Sequence, residues 1–167
     1  MNYFRCSAAK TGPIITIDGV EIDHDVNLKK ASVEFDVSVS TLPYDFRCGG
    51  AVIYNNEIHI LGGDSNKTKH YKYDGSTWIN VSTLPYEFNY GSAVVYNNEI
   101  HILGSDDNPD KHYKYDGSTW TEVSTLPYNF HYNPAVVFNN EIHILGSYDS
   151  NCITNHYMIQ ATHYVIV

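Results

Sequence analysis

Glu99-Ile100-His101-Ile102-Leu103-Gly104 is one of three identical hexapeptides; the others begin at Glu57 and Glu141, so the interval is 42 residues each time. The surroundings repeat in the same phase: Leu42-Pro43-Tyr44, Leu84-Pro85-Tyr86 and Leu126-Pro127-Tyr128, then Tyr71 with Tyr113 and Trp78 with Trp120. A fixed period of this length marks one supersecondary unit copied in tandem, each copy burying its apolar faces against its neighbours. Inside the unit the period is two rather than 3.6. Ala93-Val94-Val95-Tyr96 is a β-rich run closed by Asn97-Asn98, a pair that tolerates the left-handed turn of a tight hairpin. The hexapeptide alternates polar and apolar residues and stops at Gly104, and His112-Tyr113-Lys114-Tyr115 alternates again. Asp116-Gly117 turns the chain into Thr119-Trp120-Thr121-Glu122-Val123, and Pro127 breaks the link to the next unit. The unit is therefore a meander of four short strands, the sequence sign of a propeller blade, and the fold class is all-β.

The repeat extends towards the N-terminus. Phe4-Arg5-Cys6 matches Phe46-Arg47-Cys48 in phase, and Val39-Ser40-Thr41-Leu42-Pro43 overlays Val81 to Pro85. Ile15 to Gly19 overlays Ile58 to Gly62 with a slip of one residue. The first 40 residues thus read as a degenerate copy, with strands expected near Ser7–Lys10, Ile14–Ile17, Val20–Asp23 and Val33–Val39. His156-Tyr157 through Val167 follows His112-Tyr113 through Val123 after a two-residue insertion. The expectation is a single domain over residues 1–167, a small propeller of four four-stranded blades at about 1–40, 41–82, 83–124 and 125–167.

Ile58-His59-Ile60-Leu61-Gly62-Gly63 followed by Tyr73 and Trp78 resembles the Kelch repeat, which has four hydrophobic residues, a double glycine and two spaced aromatics. The later copies read Gly104-Ser105 and Gly146-Ser147 in place of the double glycine. The resemblance implies that the first strand of each blade is innermost. It further implies that the loop before that strand and the loop between second and third strands open on one face, the face that binds partners.

Composition narrows the function classes. The net charge is −9, and residues 115–167 hold no Lys or Arg. Phosphate binding needs clustered basic side chains, so direct nucleic-acid binding is not expected. No stretch approaches a membrane-spanning length, and residues 1–25 lack a basic start followed by an apolar run. Cys6, Cys48 and Cys152 follow no disulfide or metal spacing, which fits a reducing compartment: cytoplasmic, or virion-associated.

Candidate chemistry is sparse. His59, His101 and His143 are repeat-equivalent, as are His70, His112 and His156; equivalent positions on different blades stand too far apart to share one zinc ion, so packing is the expected role. Glu57, Glu99 and Glu141 follow the Asn-Asn turns and are expected to serve turn chemistry and solvation. No phosphate loop, nucleophile elbow or zinc-protease motif is present, so neither a catalytic residue nor a cofactor or metal is expected. The informative positions are those where the copies differ. Arg5, Arg47-Cys48, Asn89-Tyr90 and His131-Tyr132 precede the first strands and are the candidate partner-binding residues, ringing one channel mouth beside the variable loops Asp64–Lys69, Ser105–Lys111 and Ser147–Asn155. The expected function is a non-catalytic, protein-binding propeller from an amplified bacterial or phage gene, monomeric or homodimeric. Two rival readings are an acidic phage anti-defence inhibitor of a nucleic-acid enzyme and a carbohydrate-binding or sugar-processing propeller.

Overall fold

The computed structural model describes residues 16–17, 20–21, 39–148 and 154–159. The chain divides into two compact units, Met1–Val39 and Ser40–Val167. In the first, β1 (Thr16–Ile17) pairs antiparallel with β2 (Val20–Glu21), with Thr16 opposite Glu21 and Ile17 opposite Val20. These segments fall inside two of the four strands expected for the first copy. The strands expected near Ser7–Lys10 and Val33–Val39, and with them the expected first blade, lie outside the described residues apart from Val39.

The second unit holds three antiparallel meanders. The first sheet runs β3 (Gly50–Tyr54), β4 (Glu57–Leu61), β5 (Lys69–Tyr73) and β6 (Trp78–Thr83) in sequence order. The second runs β7 (Ser92–Tyr96), β8 (Glu99–Leu103), β9 (Lys111–Tyr115) and β10 (Trp120–Thr125). The third has three described strands, β11 (Ala135–Phe138), β12 (Glu141–Leu145) and β13 (His156–Ile159).

Local chemistry sets these elements. Tyr54 pairs with Glu57 and Tyr96 with Glu99, which leaves two-residue hairpins at Asn55-Asn56 and Asn97-Asn98. Both residues of each pair, and of Asn139-Asn140, have φ between 48° and 62°, the double left-handed conformation of a type I′ turn. Asparagine tolerates it because its short side chain bonds locally. The third connection is stapled by an aspartate: Asp74 Oδ1 accepts from the backbone N–H of Ser76 (2.8 Å) and Thr77 (2.9 Å), and Asp116 repeats this with Ser118 and Thr119. A register shift then interrupts the β5–β6 ladder at His70/Tyr71 and the β9–β10 ladder at Glu122/Ser124, bulges that add twist.

The core is made between sheets, as the tandem pattern demands. One cluster joins Tyr54 and Leu61 of the first sheet to Leu84, Tyr86, Phe88, Ile100, Ile102 and Tyr115. Its copy joins Val94, Tyr96 and Leu103 of the second sheet to Leu126, Phe130, Ile142 and Ile144. Phe88 and Phe130 are wholly buried, each contributing on the order of 2–3 kcal/mol of hydrophobic stabilisation. They lie on the segments linking one sheet to the next, so the Leu-Pro-Tyr-x-Phe run acts as mortar between neighbouring sheets. Strand β7 lies beside β3 on one side and β11 on the other, which places the first strand of each meander at the junction of the sheets.

Candidate functional site

Cys48, Tyr90 and Tyr132 each precede the first strand of a sheet and each has positive φ, 57°, 57° and 54°. That left-handed turn aims their backbone groups sideways, and a ladder runs across the sheets. Tyr90 N–H donates to Cys48 C=O (2.8 Å) and Tyr132 N–H donates to Tyr90 C=O (2.7 Å). The preceding residues make a second, parallel series. Asp64 N–H donates to Arg47 C=O (2.9 Å), Asp106 N–H to Asn89 C=O (3.0 Å) and Tyr148 N–H to His131 C=O (3.1 Å). The loop before each first strand is thus tied to the loop after each second strand, so the two variable loop sets meet on one rim.

Side chains on this rim form an aromatic run edged by carboxylates. The Tyr90 and Tyr132 rings stack at 4.3 Å with 27° between planes. Tyr148 lies 5.5 Å from Tyr132 and 5.6 Å from His131, which itself packs edge-on to Tyr132 at 5.6 Å. Tyr132 and Tyr148 are exposed. Tyr90 Oη donates to Asp64 Oδ2 (3.3 Å), and His131 Nδ1 stands 3.4 Å from Asp106 Oδ1. The Tyr90 hydroxyl is pushed well up from its ordinary value, first by its hydrogen bond with Cys48, then by burial and by the Asp64 charge; it stays protonated and able to donate.

Of the positions singled out in the sequence, Arg47, Cys48, Tyr90, His131 and Tyr132 lie on this rim. Arg47 is exposed and pairs with Asp45 (3.2 Å), and Cys48 is an exposed free thiol. Asn89 is placed differently: it is buried behind the rim, and its Oδ1 has no partner among the described residues. Arg5 lies outside the described residues. Sequence reading missed Asp64, Asp106 and Tyr148 as individual members; the signal was present, since these loops vary between copies.

A second constellation was also missed. His59 and His70, compared in the sequence only with their counterparts on other blades, are diagonal neighbours on paired strands, with Nδ1 and Nε2 2.8 Å apart. His101–His112 and His143–His156 repeat the contact at the same distance. The chain of contacts in the first sheet has a single donor direction. Trp120 Nε1 donates to Ser82 Oγ (3.0 Å), and Ser82 Oγ lies 2.9 Å from His70 Nδ1. The Ser82 hydroxyl then donates to His70, His70 Nε2–H to His59 Nδ1, and His59 Nε2–H points towards Glu57 at 3.9 Å. With both imidazoles neutral the bonds run in one direction from Trp120 to His59, and His59 Nε2, beyond hydrogen-bond reach of Glu57, has no hydrogen-bond partner among the described residues. Burial holds His70 down to about 3, with the His59 charge adding to the effect, and burial likewise lowers His59 despite Glu57. His59 and His70 are buried, and Glu57 and Ser82 at the two ends of the series are half-buried. Among the described residues, no three His, Cys, Asp or Glu side chains converge as a metal set.

Against this geometry, residues 47–161 match the DUF6242 beta propeller domain. The chain belongs to the DUF6242 beta propeller domain family. The three meanders packed through their first strands are its blades, and the all-β propeller class expected from the 42-residue period holds. Among solved structures the propeller is similar to that of YjhT, a Kelch-repeat propeller protein, with a TM-score of 0.57 and 17% identity. The match covers 65% of this chain and 36% of that one, so the propeller spans about a third of the structure it resembles. No curated protein matches the chain.

Proposed function

We propose that this chain is a non-catalytic, Kelch-like propeller of four blades whose loop rim binds another protein. The observation that supports the reading is the aromatic run Tyr90, Tyr132 and Tyr148, exposed at Tyr132 and Tyr148 and edged by Asp64, Asp106 and His131. Tyrosine supplies a large, rigid contact area at low entropic cost, and arginine is its natural counterpart across an interface. A guanidinium can lie on a tyrosine face while its N–H groups reach a carboxylate, a combination of cation–π and charge-assisted bonding. The partner chemistry is therefore a basic, arginine-bearing segment, in keeping with the net charge of −9.

A second reading draws on the same rings. An exposed tyrosine beside a carboxylate and an imidazole also suits a pyranose, whose apolar face stacks and whose hydroxyls bond at the edge. Paired arrays of peptides and glycans separate the two. Arginine-bearing peptides are expected to bind, and binding is expected to fall at least tenfold in a Tyr132→Ala, Tyr148→Ala variant whose melting temperature is unchanged. Capture of glycans with no capture of peptides overturns the protein-binding reading in favour of carbohydrate.

A further inference from the structure

The rim carries a titratable imidazole at one of the positions where the copies differ. Arg47, Asn89 and His131 are repeat equivalents: Arg47 is exposed and pairs with Asp45, Asn89 is buried, and His131 is half-buried among the rim aromatics. Among the described residues, the groups facing the His131 ring are Asp106 from the loop after β8, Tyr148 from the loop after β12, and its own neighbour Tyr132.

The carboxylates near the stacked tyrosines are not equally free. Asp64 accepts from the Tyr90 hydroxyl (3.3 Å), and Asp107 is paired with Lys67, which also holds Glu87 (3.1 Å). Asp106 is exposed and stands 3.4 Å from His131 Nδ1. That separation is longer than the roughly 2.7–3.2 Å usual for an N–H···O bond, so a neutral imidazole holds the carboxylate loosely. A protonated imidazole makes a charge-assisted bond, shorter and about twice as strong. It also sets a positive charge beside Tyr132 and Tyr148, the rings on which a guanidinium would lie. Resting on the protein-binding reading above, we propose that Asp106 is the anchor for the partner's guanidinium and that His131 is its pH-dependent competitor. Neutral His131 leaves the carboxylate open, and protonated His131 closes it. Imidazole is the side chain that changes charge between about pH 5 and 8, so mild acidification releases the partner. Linkage sets the sign and the limit: binding that needs a neutral His131 weakens as pH falls, by at most about tenfold per pH unit for one proton.

The probe is a rhodamine-labelled tetra-arginine peptide, titrated with the full chain and followed by fluorescence anisotropy. Between about pH 7.5 and about pH 6.0 its affinity is expected to fall about fourfold or more. His131→Gln keeps a polar side chain but takes up no proton, and its affinity is expected to be the same at both pH values. Asp106→Asn removes the anchor; it is expected to weaken binding about tenfold at the higher pH and to lose the pH response. Acid loosening of the fold would weaken wild type and His131→Gln together, so a loss shared by the two overturns the competitor role, as does a wild-type affinity that is level with pH. Asp106→Asn binding as tightly as wild type overturns the anchor. Level, tight binding leaves the protein-binding reading standing while the gate falls, whereas no binding of the peptide at either pH overturns both.

Discussion

His70 Nε2 stands 2.8 Å from His59 Nδ1 with both rings buried, and the same contact recurs in the next two sheets, with both rings buried in the second and His156 exposed in the third. The consequence is a pH dependence of stability. An imidazole in the unfolded chain protonates near 6.5, whereas burial holds His70 and His112 down to about 3 and His101 to about 4, and lowers His59. The folded state binds fewer protons, so the stability contribution is fully present above pH 6.5 and is lost progressively as pH falls towards the folded values. Each such histidine costs about 1.4 kcal/mol per pH unit through that window. Urea midpoints are expected to be level from pH 8 to 7 and to drop steeply between 6.5 and 5. Asp74 and Asp116, lowered chiefly by the N–H groups of Thr77 and Thr119, act only at more acidic pH. Equal midpoints at pH 7 and 5 would contradict neutral, buried dyads.

Gly104 and Gly75 separate steric from conformational need. A Cβ on Gly104 would lie 1.8 Å from the Phe130 carbonyl oxygen with φ at +61°, against a segment that is itself core. Gly75 has φ of +98° and nothing within 4 Å of the added carbon. Gly104→Ala is expected to cost more than about 3 kcal/mol by forcing Phe130 out of place, and Gly75→Ala about 1 kcal/mol from backbone strain alone. Chemical denaturation of the two variants tests the ranking.

The two tryptophans are equivalent in sequence but not in burden. Trp120 packs on Tyr115 at 5.1 Å and on His70 at 5.7 Å, and bonds Ser82 across the sheet junction. Trp78 packs on Tyr73 at 5.2 Å and bonds Ser40 (3.1 Å); both tryptophans are half-buried, so the difference lies in the rings packed against them. Trp120→Ala is expected to cost about 3 kcal/mol or more and to perturb the His59–His70 pair, while Trp78→Ala costs less than half of that. Melting temperatures of both variants, read together, decide it.

The fold was legible because its determinants are local and repeated. Asn97-Asn98 fixes a two-residue hairpin, the alternation in Glu99–Leu103 fixes its faces, and the 42-residue interval states how often the unit recurs. The rim was legible in part, since Tyr90 and Tyr132 stand where the copies disagree. Tyr148 and Asp106 join them through backbone bonds to His131 and Asn89 and through side-chain contacts with Tyr132 and His131, which no sequence spacing displays. The histidine pairs escaped for a related reason. Comparing equivalent positions across copies compares His59 with His101, whereas the contact is with His70, 11 residues away across a paired strand.

Cys48 offers the most direct link between backbone conformation and use. It sits at φ of 57° on the rim, as Tyr90 and Tyr132 do, in a region where a side chain costs roughly 1–2 kcal/mol and glycine costs little. Glycine would suit the backbone at all three positions, yet each carries a side chain that reaches the rim. Strain of this kind held at a surface site points to a role for the side chains. Cys48→Gly removes an exposed thiol and relieves the strain, at the cost of added freedom in the unfolded chain of about 0.4–1 kcal/mol. The net expectation is unchanged or slightly raised stability, and a higher melting temperature for Cys48→Gly than for Cys48→Ala, which loses the thiol but keeps the strain. On arginine-bearing peptides both variants are expected to weaken binding alike. If the alanine variant melts higher than the glycine variant, the left-handed backbone is not where the rim stores its strain.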